Sequence, residues 1–412
     1  MLSYRAARQI VTDVTLDLRH EIPSEELDLN TDLADAVGRI LLQDIFADRD
    51  YPSFDRAMRD GYAVRSADVA AAPRTLRVIG ECRAGTAFNG EVAMGQCVLI
   101  MTGAPIPRGA DAVVMVEYTE PGPACAVDLI VFDRTARPGQ NIVFAGTEAA
   151  QGKKVLHRGQ RLGYAELALA AQVGSARLRV ARRPTVALLS TGDEVVPIDV
   201  QPAAYQIRNS NCVSLAAQVV LSGARPVQLG NAADSLEDLH ELIPQGLQED
   251  MLVLSGGVSK GKYDLVEEVL RELGAEFLFD SVDIRPGHPA VFAKCGGKPV
   301  FGLPGNPVST MVTFELFATL AIDILTGADP RSTPLFRARL AAAVERTAAL
   351  THFIPARVSW ESGEPIVTEL THQGSADIVG LTQSNCFLLV RPEHLRLAAG
   401  ELVDVMPRRG SL

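Results

Sequence analysis

A chain of 412 residues with 47% hydrophobic and 22% charged side chains is too long for one ordinary core and too apolar to stay disordered, so several globular domains are expected. Fifty acidic against 39 basic residues give a formal charge of −11, which repels a phosphodiester backbone and excludes nucleic acid as a natural partner. The six cysteines form no CxxC pair and the seven histidines never fall at HxxxH spacing, arguing against a disulfide framework and a zinc site. No apolar run reads as long enough and free enough of Gly, Pro and charge to span a membrane. The first residues lack the apolar core of a signal peptide, so a cytoplasmic protein is expected.

Up to about residue 45 the apolar spacing predicts helices, in "SYRAARQIVTDV" and then in "TDLADAVGRILLQDI" behind a Thr31 cap. From "YPSFD" to about 145 the chain is punctuated by Gly and Pro, with short β-branched runs such as "LRVIGE", "CVLIM" and "DAVVMVE", which predict a β-rich domain. The alanine-rich "GYAELALAAQVG" predicts a helix over 163–174 that ends at Gly174 and packs back on the N-terminal helices. Between about 184 and 327, apolar strand runs alternate with amphipathic helices, the signature of a parallel sheet covered on both faces. Alternating runs such as "FIPARVSW" and "CFLLVRPE" then predict a small closed β domain. The expected organisation is a helical linking domain at 1–46 and 146–182, a β-rich domain at 47–145, a parallel α/β domain at 183–328 and a C-terminal β-barrel-like domain at 329–412.

Chemistry concentrates where the predicted α/β strands end. "LLSTGDEVV" runs into Thr191, Gly192, Asp193 and Glu194; "LVLSGGVSKGKYD" into Ser255, Gly256, Gly257 and Ser259; "FGLPGNPVST" into Pro304, Gly305 and Asn306 at a helix start. Open α/β sheets bind ligands at the carboxyl ends of their strands, where glycines admit close approach and helix N-termini offer N–H donors. Taken singly, "SGG" is also an ordinary turn and "GNP" ordinary capping; taken together, the three loops suit one anionic ligand, with Asn211 as a further uncharged donor. Glu194 and Asp264 read either as solvated loop acids or, beside a polyphosphate, as ligands of a bridging Mg²⁺. Asp60 in "FDRAMRDGYA" reads either as an Asp-Gly turn or as a functional acid. Thr102 in "MTGAPIPRG" is a hydroxyl on a proline-stiffened loop, suited to a site or simply to a turn.

In order and spacing, "FDRAMRDGYAV", "MTGAPIPRGADAVVMVE", "STGDEV", "SGGVSKGKYD", "RPGHP" and "GLPGNPVS" resemble the molybdopterin molybdenumtransferase family, MoeA of bacteria and the gephyrin E domain of animals, over nearly the whole chain. The resemblance implies a homodimeric, four-part subunit with its active site between the α/β domain of one copy and the "DGYA" domain of the other. It implies insertion of molybdate into adenylylated molybdopterin, with Mg²⁺-dependent release of AMP. Asp60, Thr102, Glu194 and Asp264 match functional family positions, Glu194 and Asp264 as the Mg²⁺ ligands, and Asp234 matches a substrate-binding one. Arg285, His288, Ser309 and Ser375 match the molybdate-binding positions. An adenylyltransferase that hands over the substrate and a molybdoenzyme acceptor are the further partners implied.

The sequence also departs from the family pattern. The usual "KPGKP" is "RPGHP", a family arginine aligns with Leu350, Arg56 and Arg59 flank the aspartate, and Lys260 and Lys262 enter the "SGG" loop. These departures leave two other readings open, a non-catalytic molybdopterin carrier or scaffold and an insertase that takes tungstate.

Overall fold

The computed structural model describes residues 2–122, 128–257, 265–328, 334–361 and 363–411. They fall into two compact units, one made of Met1–Leu42, Gly159–Leu162 and Arg179–Leu412, the other of Gln43–Arg158 and Gly163–Leu178.

The first unit is built on a six-stranded sheet in the order Arg225–Ala232, Thr185–Thr191, Met251–Ser255, Lys298–Leu303, Val291–Cys295 and Glu276–Phe279. Alternation along the strands sorts side chains to the two faces. Val186, Leu188, Met251 and Val253 pack with Ala7 and Val11 of the helix Tyr4–Leu18, with Leu215 and Val219 of Ser210–Leu221, and with Val308 and Val312 of Pro307–Thr313. Ala187, Leu189, Leu252 and Leu254 pack on the other side with Leu239 and Ile243 of Leu236–Gly246 and with Val266, Val269 and Leu270 of Leu265–Glu272. Burial on both faces is why "TVALL" and "MLVL" are unbroken apolar runs, each large side chain contributing roughly 1.5–3 kcal/mol.

Four strands are parallel as expected, but the sheet continues through two antiparallel pairings, so that Val291–Cys295 runs against the rest. The cause is local. Cys295 and Lys298 face each other across Gly296 and Gly297, whose φ values of 56° and 75° make the two-residue turn whose twist suits a hairpin.

The N-terminal helix does not belong to a separate helical layer: Tyr4 stands edge-on to Phe317 and Phe353 in the α/β core, with ring centroids 6.1 and 5.4 Å apart. The second expected helix shrinks to Leu33–Ala36. Gly38, at φ 78°, turns the chain out of the helix, Ile40 and Leu41 then bridge to Arg161 and Val180, and Ile45–Phe46 is a strand.

Among the described residues, the helical run Pro307–Leu325 is long and apolar enough to cross a membrane, contrary to the reading from composition. Of its most apolar window 83% is buried inside the protein, and a π-helical segment, Phe314–Ala318, interrupts it. Its acids are compensated, Glu315 by Arg409 at 3.0 Å and Asp323 by Arg161 at 3.3 Å. These are the marks of a core helix.

The chain then forms a closed ring of strands, Thr351–Glu361, Glu364–Glu369, Phe336–Leu340, Leu402–Pro407 and Cys386–Val390, the last pairing back on the first around Ala338, Ile354, Leu388 and Val405. A short strand, Ile284–Arg285, adds in parallel to its rim, Arg285 opposite His352, and so fixes the "RPGHP" turn against the barrel.

The second unit centres on a sheet in the order Ala112–Met115, Gly61–Val64, Gln96–Ile100, Arg74–Cys82, Leu129–Phe132 and Thr119–Pro121. Its helix Tyr164–Gln172 starts with the Gly163 N–H donating to Glu166 at 2.9 Å and stops before Gly174, whose φ of 78° suits a left-handed cap.

Candidate functional site

In the second unit, Asp60 precedes the central strand Gly61–Val64 and Thr102 follows the neighbouring strand Gln96–Ile100. The pairing of Gly61 with Ile100 therefore brings the two residues together. Both the Thr102 N–H, at 2.6 Å, and its hydroxyl, at 2.7 Å, donate to Oδ1 of Asp60. That backbone bond first, and then the hydroxyl, hold the exposed carboxyl below the usual carboxylate range. The Asp-Gly turn is thus also a presented carboxylate. Of the two added arginines, Arg56 pairs with Glu148 at 2.8 Å, while Arg59 is exposed.

In the first unit, a cavity of about 920 Å³ opens at the carboxyl ends of the strands Thr185–Thr191, Met251–Ser255 and Lys298–Leu303. It gathers Thr191, Gly192, Glu194, Asn211, Asp234, Ser255, Gly256, Gly257, Pro304, Gly305 and Asn306. Asp193 does not line it; its carboxylate accepts from the Asp234 N–H at 3.0 Å. Ser259 and Asp264, with Lys260 and Lys262, lie outside the described residues.

The loops hold one another. Asn211 donates to the Gly305 carbonyl at 2.8 Å, and the Ser190 and Ser255 hydroxyls meet at 3.2 Å beneath the glycines. A Cβ on Gly256 would stand 2.8 Å from the Thr191 carbonyl oxygen, so a larger residue cannot occupy this close turn without displacing backbone. The Thr191 hydroxyl and the Asn211 side-chain amide oxygen are buried without a partner among the described residues, polar groups of the kind a bound ligand satisfies.

A second cavity, about 650 Å³, shares Pro289, Pro304 and Asn306 with the first and is lined by Arg285, His288, Ser309 and Ser375. Asn306 donates to the Ser375 hydroxyl at 3.0 Å and Val308 N–H to the Ser375 carbonyl at 3.0 Å, which ties the last domain to the "GLPGNP" loop. Leu350 also lines this cavity. Sequence reasoning passed over Arg208, a basic residue on the first cavity's wall, whose signal is its position just ahead of the helix cap Asn209.

The acidic wall bears on Mg²⁺. Burial first, and then the charges of Asp193 and Glu194, push the Asp234 carboxyl above its usual range, a crowding that a hard cation would relieve. Among the described residues, no three acidic, His or Cys side chains converge tightly enough to hold a metal. Glu194 and Asp234 on the cavity wall are the one or two carboxylates a Mg²⁺ would use, with phosphate and water as its remaining ligands.

A doubly covered α/β sheet with a cavity at its strand ends, joined to a basic cavity at a barrel rim, defines a binding site for an anionic ligand of some size. The chain matches the family models for the MoeA N-terminal region over residues 2–174, for a probable molybdopterin binding domain over 187–323 and for the MoeA C-terminal region over 337–407. It is 34% identical over 380 residues to the molybdopterin molybdenumtransferase of Bacillus subtilis, covering 91% of this chain and 88% of that one. It is 32% identical over 387 residues to that of Staphylococcus epidermidis, covering 93% and 91%. The crystal structure of the molybdopterin biosynthesis moeA protein from Pyrococcus horikoshii OT3 superposes with a TM-score of 0.78 at 28% identity, covering 99% of this chain and 100% of that one. The chain belongs to the molybdopterin molybdenumtransferase family, and is a transferase of molybdenum cofactor biosynthesis.

Proposed function

We propose that this transferase inserts molybdenum: it takes adenylylated molybdopterin and molybdate, and cleaves the phosphoanhydride with Mg²⁺-dependent release of AMP. The observation that carries this reading is the contact between two cavities of different lining, one with Gly turns and carboxylates, one with Arg285 and His288, through the shared Pro304 and Asn306. The larger has room for a nucleotide-bearing pterin and the smaller for an oxyanion. Thr191, Asn211, Ser255 and the glycines 192, 256, 257 and 305 hold the ligand, with Asp193 and Asp234 shaping the wall. Arg285, His288, Ser309 and Ser375 hold molybdate. Glu194, with Asp264 carried over from the family motif, would hold Mg²⁺, which would neutralise phosphate oxygens and make AMP a better leaving group. Asp60 and Thr102 are the acid and its positioning residue. The working unit is a cytoplasmic homodimer supplied by an adenylyltransferase and serving a molybdoenzyme acceptor; the five described cysteines, all free and buried, agree with a reducing compartment.

Asn211→Asp tests the ligand assignment. It keeps the shape, removes the donor to Gly305 and adds a negative charge. Adenylylated molybdopterin should bind at least about tenfold more weakly by calorimetry, to a protein that keeps the circular dichroism of the unaltered chain. Equal affinity would place the ligand elsewhere. The apolar Leu350 in the oxyanion cavity favours the second reading, a carrier that binds molybdopterin without turnover.

A further inference from the structure

Among the described residues no Asp or Glu lines the smaller cavity, in a chain whose formal charge is −11, and it contains a guanidinium that no motif announced. Arg346 directly follows the strand Val344–Glu345 and lines the same wall as Leu350, where the family pattern has its arginine. Arg346 and Arg285 approach from different segments. Arg285 is the register partner of His352, and the buried His352 imidazole is held below its usual range by burial first and then by the positive charges of Arg346 and Arg285. Both guanidinium groups therefore bear on one imidazole at the cavity wall.

The bonding of these groups leaves donors available. Arg346 Nη1 donates to the Glu345 carbonyl at 2.8 Å and Nη2 to the Glu369 carboxylate, leaving three of the five N–H donors of a guanidinium. The Arg285 guanidinium has no hydrogen bond or ion pair among the described residues. His288 donates from Nδ1 to the Val282 carbonyl at 2.7 Å, which leaves Nε2 uncommitted. Glu369 offsets the charge of a half-buried guanidinium, the Arg346 and Glu369 side chains being 23% and 30% exposed.

We propose that Arg346 is a second guanidinium of the oxyanion cavity, gripping two oxygens of a tetrahedral dianion with its planar fork and supplying the charge that Leu350 lacks. The inference rests on the reading of this cavity as the molybdate site. An arginine suits the task because its fork donates two parallel bonds, where an ammonium acts as a point charge.

The test is calorimetric titration of the full chain with sodium molybdate. Arg346→Gln should weaken binding about tenfold or more, Arg346→Lys by less, and Glu369→Gln, which frees the guanidinium, should leave it equal or tighter. Equal weakening by Arg346→Gln and Glu369→Gln would make Arg346 a structural partner of Glu369 and overturn the proposal. Weakening by Arg285→Gln but not by Arg346→Gln would overturn it while leaving the molybdate cavity intact. Binding indifferent to both arginines, or no saturable binding by the unaltered chain, would overturn the cavity reading and this inference with it.

Discussion

Asp60→Asn is expected to leave the affinity for adenylylated molybdopterin unchanged and to lower oxyanion-dependent AMP release by about 10²-fold or more, the usual scale of an acid–base group. The substitution is nearly isosteric. Its amide oxygen still accepts from the Thr102 N–H and hydroxyl, so the turn keeps its geometry and only the charge is lost. Because those two bonds lower the carboxyl's pKa, Asp60 remains ionised at neutral pH and loses its charge only in acid, below the usual carboxylate range. Its contribution to the rate is therefore present at neutral pH and falls away as the pH drops through that lowered value. AMP release by the variant at the unaltered rate would reduce Asp60 to a turn residue.

The largest effect on stability is expected at the next residue. A Cβ on Gly61 would lie 2.0 Å from the Val114 carbonyl oxygen and 2.9 Å from the Met115 Cα, both backbone atoms. Gly61 pairs with Ile100 on one side and Met115 on the other, so neither neighbour can retreat without breaking a ladder. Gly61→Ala should cost about 3 kcal/mol, the upper end for overpacking, and lower the denaturation midpoint of this unit in urea. An unchanged midpoint would mean that the strand register at Asp60 is looser than the pairing indicates. The "DG" pair is thus constrained twice, at Asp60 by chemistry and at Gly61 by space.

What was legible in the sequence follows from how strongly each segment is constrained. The strands Thr185–Thr191 and Met251–Ser255 are buried on both faces, and that leaves an unmistakable apolar run. The loops at their ends were legible as the walls of one cavity because glycines and small polar residues cluster there. The segment 31–45 misled because its leucines and isoleucines recur at helical spacing while Gly38 turns the chain and Ile40 and Leu41 join bridges. The hairpin at Gly296 and Gly297 carried a readable signal, two adjacent glycines between short apolar runs. Arg346 could not be found this way. Nothing local marks it, and it reaches the cavity because the barrel rim pairs with Ile284–Arg285 from a segment far away in the chain.

The most direct measurement of the central claim is AMP release from adenylylated molybdopterin by the purified chain with Mg²⁺, with and without molybdate, and with tungstate as the alternative oxyanion. The account predicts release that requires Mg²⁺ and rises on adding oxyanion. Tight substrate binding without oxyanion-stimulated release would contradict it and leave a molybdopterin carrier on this fold.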